Sequence, residues 1–83
     1  MKVTVTLRYH QKTVVEIEKE VEVPDGYTAG TLASGIIKEH ERSEGICFAG
    51  ACIAVLVNGR LSSQDELLHD GDEVRIIPVA SGG

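Results

Sequence analysis

From Val3 to Tyr9 the chain alternates apolar and polar residues without a miss: Val3-Thr4-Val5-Thr6-Leu7-Arg8-Tyr9. A period of two belongs to a strand with one face buried and the other in water, and a helix over the same residues would bury its polar half. A polar turn at His10 to Lys12 leads into a second alternating segment, Thr13 to Val23. There Val15, Ile17, Val21 and Val23 fall on one parity and Glu16, Glu18, Glu20 and Glu22 on the other, so the two segments predict an antiparallel hairpin. Lys19 is the one interruption of the apolar parity and predicts a bulge or a strand end. The glutamates are spaced along a row and do not converge on a point, which makes them a solvated face and not a metal site.

After the hairpin, Pro24-Asp25-Gly26 reads as a turn and Thr28 as the N-cap of a helix running to about His40. Ala29, Leu32, Ala33, Ile36, Ile37 and His40 recur at helical spacing and form one apolar stripe, with His40 a polar residue closing the helix and not a ligand. Gly30 and Gly35 weaken that helix by up to about 1 kcal/mol each relative to alanine, so it leans on tertiary packing. Glu41 to Gly50 reads as a charged, glycine-punctuated loop, and Ile53 to Val57 as a short buried strand. Asn58-Gly59 is a hairpin turn that sends Arg60 to Ser62 back as a short strand. Asp65 to Leu68 reads as a single helical turn with both leucines inward, and Asp70-Gly71-Asp72 turns the chain into a last strand, Glu73 to Pro78. In that strand Val74 and Ile76 face one way, Arg75 and Ile77 the other.

Strand, strand, helix, strand, short strand, strand is a two-layer α+β order. It predicts a β-grasp: a mixed sheet of four to five strands, one main helix across one face, and the first and last strands parallel at the centre. Residues 1–78 form the domain and 79–83 a flexible tail.

Composition limits what such a domain can do. A chain of 83 residues has room for one core and little volume for an internal active site, so its function is expected on the surface. Apolar residues at 42% place it among folded chains, and a net charge of −5 argues against neutralising the phosphates of a nucleic acid. No stretch approaches the roughly 18 apolar residues of a membrane crossing. The N-terminus alternates where a signal peptide would carry an apolar run, which predicts a cytoplasmic protein. Cys47 and Cys52 sit too close in sequence to staple more than a local loop, and with neither CxxC nor companion His spacing they read as thiols outside metal or catalytic chemistry. His10, His40, His69 and the cysteines assemble no nucleophile, base and orienting group, so an independent enzyme is not expected.

The ending, Gly82-Gly83, has two readings on its own. Glycines are common in frayed termini. They also let a chain thread a narrow channel and present a terminal carboxylate to another protein, because no Cβ meets the walls.

Three stretches sharpen the choice: Ala54-Val55-Leu56-Val57-Asn58-Gly59, the turn Asp70-Gly71-Asp72-Glu73-Val74, and the ending Ile76-Ile77-Pro78-Val79-Ala80-Ser81-Gly82-Gly83. With these the whole chain resembles the MoaD/ThiS family of ubiquitin-like sulfur carriers. The resemblance implies that an E1-like enzyme uses ATP to adenylate the carboxylate of Gly83. A sulfur donor such as a cysteine desulfurase or a rhodanese then converts it to a thiocarboxylate. Gly82 would serve by being small. The carrier would bind no cofactor itself and would be a monomer in isolation. Pro78 and Val79 are similar to the small subunits of molybdopterin synthase, which implies the large subunit of that enzyme, or another sulfur-accepting enzyme, as recipient. Ser81 and the length of the Glu41 to Gly50 loop depart from the pattern. A thiamine or tRNA-thiolation carrier, or a modifier conjugated to lysines through Gly83, would share the same tail. Docking is expected on the exposed side of the sheet near the C-terminus, through Ile77, Pro78, Val79, Ala80 and Ser81, with Phe48 from the preceding loop.

Overall fold

The computed structural model describes residues 1–10, 13–48 and 52–79. β1 (Lys2–His10) and β2 (Val14–Glu22) pair antiparallel from Lys2↔Glu22 to His10↔Val14, so the expected hairpin forms. The register is unbroken at Lys19, which sits opposite Val5, and the expected bulge or strand end is absent. β2 is an edge strand whose helix-facing row is only partly covered. A lysine stem can lie across such a row with its charge still in water. The Lys19 ammonium stands 3.7 Å from the Glu39 carboxylate, both well exposed. Glu16, Glu18, Glu20 and Glu22 are all exposed on the other face.

α1 spans Ala29–Glu44 and buries Ala29, Leu32, Ala33 and Ile36 against the sheet. Thr28 caps it, its hydroxyl accepting from Thr31 N–H at 3.2 Å. The helix continues a full turn beyond the expected end at His40. Glu41, Arg42, Ser43 and Glu44 carry no apolar period, but nothing in them opposes a helix, and the stop comes at Gly45, left-handed at φ 67°.

β3 (Cys52–Val57), β4 (Arg60–Leu61) and β5 (Glu73–Val79) complete a five-stranded sheet in the order β2-β1-β5-β3-β4. β1 and β5 are parallel at its centre and the other pairs are antiparallel, which is the β-grasp arrangement. The core lies between this sheet and α1, with Val3, Val5, Val57, Val74 and Ile76 almost wholly excluded from solvent.

The expected helical turn at Asp65 to Leu68 is not helical. The Gln64 and Glu66 carbonyls accept the N–H groups of Gly30 and Ala29, each at 2.9 Å, and Leu67 bridges Thr28. Those amides belong to the helix's first turn, where no internal acceptor exists, so this segment is held extended as a backbone cap. Only Leu68 is buried, while Leu67 points outward. Gly30 is required here by the close approach: a Cβ would lie 2.8 Å from the Gln64 Cβ and 2.9 Å from its carbonyl oxygen. Among the described residues no helix is long and apolar enough to cross a membrane.

Candidate functional site

β5 carries the candidate site at its far end, and its near end is what holds it. The turn into β5 buries Asp72, whose Oδ1 accepts from Asn58 Nδ2 at 2.9 Å and whose Oδ2 accepts from the His69 N–H at 2.8 Å. Asn58 in turn accepts from the Glu73 N–H through its side chain at 3.0 Å and donates its own N–H to the Glu73 carbonyl at 2.8 Å. Asp70 Oδ1 accepts from the Lys2 N–H at 2.7 Å, and the Gly71 N–H reaches the Lys2 carbonyl at 2.7 Å. Bonds to a buried carboxylate are among the stronger ones in a protein, so this cluster fastens β1, the β3–β4 turn and β5 together. Asn58-Gly59 and Asp70-Gly71-Asp72-Glu73 thus have an architectural role.

At the far end the pairing thins out. The β1–β5 ladder is registered from Thr4↔Glu73 to Leu7↔Ile76, whereas β5 stays paired with β3 as far as Cys52↔Val79. Pro78 explains the stop. The Ser62 N–H bonds the Val55 carbonyl, so Val55 turns its backbone groups away from β5, and Ile53, two residues earlier, does the same. Pro78, opposite Ile53, therefore aims its nitrogen toward β1, where it has no hydrogen to give.

Among the anticipated docking residues, Val79 is 51% exposed and Ile77 half-buried, both on the face away from the helix. Pro78 differs from expectation: it is buried on the helix side with Val74 and Ile76, as the alternation of β5 requires. Phe48 also stands on the helix side, its ring edge-on to Tyr9 at 5.1 Å and stacked on His40 at 6.4 Å. Its N–H bonds Glu41 Oε2 at 2.6 Å, so it is a packing residue, separated by the sheet from Ile77 and Val79. His40 is held in the same cluster by a 2.8 Å hydrogen bond between Nε2 and the Tyr9 hydroxyl. Ala80, Ser81, Gly82 and Gly83 lie outside the described residues.

Two residues of the outer face were not anticipated. Ala54 pairs with Ile77 and Leu56 with Arg75, so these β3 side chains extend the apolar strip that leads to the tail. The sequence signal was there: Ile53 to Val57 is apolar on both parities, which only a strand covered on two faces needs. Farther across the face the surface becomes charged, with Lys2 and Glu20 at 3.9 Å and the glutamate row beyond. Among the described residues no His, Cys, Asp or Glu side chains are grouped to hold a metal ion. What this face offers is an apolar strip beside Val79, the last residue of β5.

Comparison with known proteins agrees in fold. The sequence model of the ThiS family matches residues 5–83. A putative molybdopterin converting factor, subunit 1, from Pyrococcus furiosus is 30% identical, with 94% of this chain and 99% of that chain covered and a TM-score of 0.61. SAMP1 from Haloferax volcanii matches at 20% identity over 96% of this chain and 99% of its own, TM-score 0.60. A chain of the complex of subunits 1 and 2 of molybdopterin-converting factor from Helicobacter pylori matches at 21% identity over 100% of both, TM-score 0.57. At their identities the last two speak to the fold alone.

Proposed function

The chain belongs to the ThiS family of small sulfur carriers, and on that premise we propose that it carries sulfur as a thiocarboxylate on Gly83. The observation that carries this reading is the family match, which runs through Gly82 and Gly83 to the last residue. A carboxylate is a poor electrophile until it holds a leaving group. An E1-like enzyme supplies one: a carboxylate oxygen of Gly83 attacks the α-phosphorus of ATP, pyrophosphate leaves, and an acyl adenylate forms. The terminal sulfur of a persulfide on a donor such as a cysteine desulfurase or a rhodanese attacks the acyl carbon and expels AMP, which leaves an acyl disulfide. A thiol then attacks the donor's sulfur, forms a disulfide with it and releases the thiocarboxylate. The carrier's own part is to present the tail, with Gly82 small enough to pass a narrow channel. Val79, Ile77, Ala54 and Leu56 hold the body against the partner.

The pathway we favour is molybdopterin synthesis, with the large subunit of molybdopterin synthase as recipient. The 30% identical protein from Pyrococcus furiosus, described as a putative molybdopterin converting factor subunit, supports that choice. The acidic net charge of −5 suits a basic entrance on the partner and would speed encounter more than it tightens the complex. We place the carrier in the cytoplasm, where its activating enzyme, ATP and a reduced sulfur donor are available together.

Intact mass spectrometry after incubation with ATP, a sulfur donor and the E1-like enzyme tests the reading. A gain equal to one sulfur-for-oxygen exchange, localised to Gly83 and lost when Gly83 is deleted, is the expected result. An unchanged mass with an enzyme active on another carrier refutes it. Branched Gly-Gly remnants on lysines of other proteins, with no thiocarboxylate, would assign the tail to protein conjugation.

A further inference from the structure

A second surface lies on the opposite side of the sheet from the docking strip. A groove of about 560 Å³ opens between α1 and β3, walled by Ala33, Ile37, Phe48, Ile53, Val55 and Leu61. Ile53 is 40% exposed and Leu61 76%, so two of its apolar walls stand in solvent. The groove is open because β4 is only two residues long and pairs with β3 at Leu56 and Val57 alone. Beyond that point the outer edge of β3 has no strand beside it among the described residues.

The backbone at this edge says what would cover it. The Val55 carbonyl is taken by the Ser62 N–H at 2.9 Å, which fixes the direction in which Val55 and Ile53 turn their backbone groups. The N–H and C=O of Ile53 and the N–H of Val55 therefore point outward over the groove with no backbone partner among the described residues. A hydrophobic occupant without donors and acceptors would bury these three groups unpaired, at a cost comparable to what its apolar contacts return. An extended peptide pairs them and drops alternate side chains into the groove.

We propose that the open edge of β3 and the apolar groove beside it accept an extended segment of a partner protein as an added strand, with apolar side chains at alternate positions. This surface lies across the sheet from the outer strip, and the inference does not depend on the sulfur chemistry. Basic flanking residues on the segment fit the net charge of −5. A second copy of the chain fits less well. Its one long edge is β2, and β2 added to β3 of a neighbour makes a head-to-tail contact that does not close, between chains of like charge.

The test uses the full chain labelled with ¹⁵N and a capped probe peptide, Lys-Val-Thr-Val-Thr-Val-Lys. Titration should shift the Ile53 and Val55 amides saturably and slow their exchange with solvent. The same peptide N-methylated at alternate residues, on its pairing edge, should bind at least about tenfold more weakly, because two or more hydrogen bonds are lost. Leu61→Lys and Ile53→Lys, both at exposed positions, should weaken the probe about as much while leaving the thermal midpoint near the parent's. Equal binding of the N-methylated peptide would overturn strand addition, as would shifts confined to Val14–Glu22 or no saturable shift at all. Binding that appears only after residues 80–83 are removed would assign the groove to the chain's own tail. A dimer of the free chain that the probe dissociates would assign it to a second copy. Either outcome refutes the proposal.

Discussion

The two ends of β5 are built to opposite specifications. At Glu73 the strand enters through a buried carboxylate, an asparagine and three backbone contacts to Lys2 and Thr4, all within 3.0 Å. At Val79 it keeps one neighbour, β3, and has lost the other at the proline. Seven residues thus run from a turn held by side-chain and backbone hydrogen bonds to an exposed valine. The difference teaches that anchoring is concentrated at one end of the strand: the near end is fixed by side-chain and backbone hydrogen bonds, and the far end is held by β3 alone. Damage to the near end should appear as lost stability, and damage to the far end as lost transfer in a stable domain.

Deleting Gly83 should sharpen this division most. Thiocarboxylate formation is expected to vanish in the mass assay while the unfolding midpoint stays within experimental scatter. A large fall in stability would break the comparison. Asp72→Ala comes next, at about 2–3 kcal/mol, because it leaves the Asn58 amide and the His69 N–H without their acceptor. For a domain of this size the midpoint should fall on the order of 10 °C, with transfer unaffected at temperatures where the variant is folded. Val79→Lys should lower the rate of adenylation at limiting enzyme about tenfold, equivalent to about 1.4 kcal/mol of docking, and shift the midpoint little because the side chain is 51% exposed. The smallest effect is Gly71→Ala. A Cβ there meets nothing within 4 Å, so only the strain of φ +85° counts, about 1 kcal/mol in chemical denaturation.

The alternation of β1, β2 and β5 was legible because a period of two survives any context in which one face is buried. The helix outruns its sequence signal because the apolar stripe ends at His40, while the backbone continues through Glu44 to the glycine that can turn left-handed. Asp65 to Leu68 has a composition that favours a helix and yet is not helical. The N–H groups of Ala29 and Gly30, which decide its conformation, are distant in sequence. At the site, the terminal glycines and the outward parity of Ile77 can be read directly, whereas Val79, expected in the tail, is the last residue of β5. Apolar residues near a tail suggest docking, and Pro78 suggests a contact on that ground alone, but its parity with Val74 and Ile76 places it inside. The open edge of β3 was not legible at all, since it depends on how far β4 extends, and a two-residue strand leaves almost no trace in a sequence.

The parallel pairing of β1 with β5 has a consequence for how the protein is made. β1 finds its central partner only when β5, which follows the other four strands of the sheet, has been translated, and a nascent chain stalled earlier holds a hairpin and a helix around a missing middle strand. Folding therefore waits for β5 to be completed and to emerge from the ribosome. A product cut short within β5 lacks the central strand of the sheet, so its own instability removes it before it can compete with the intact chain for a partner.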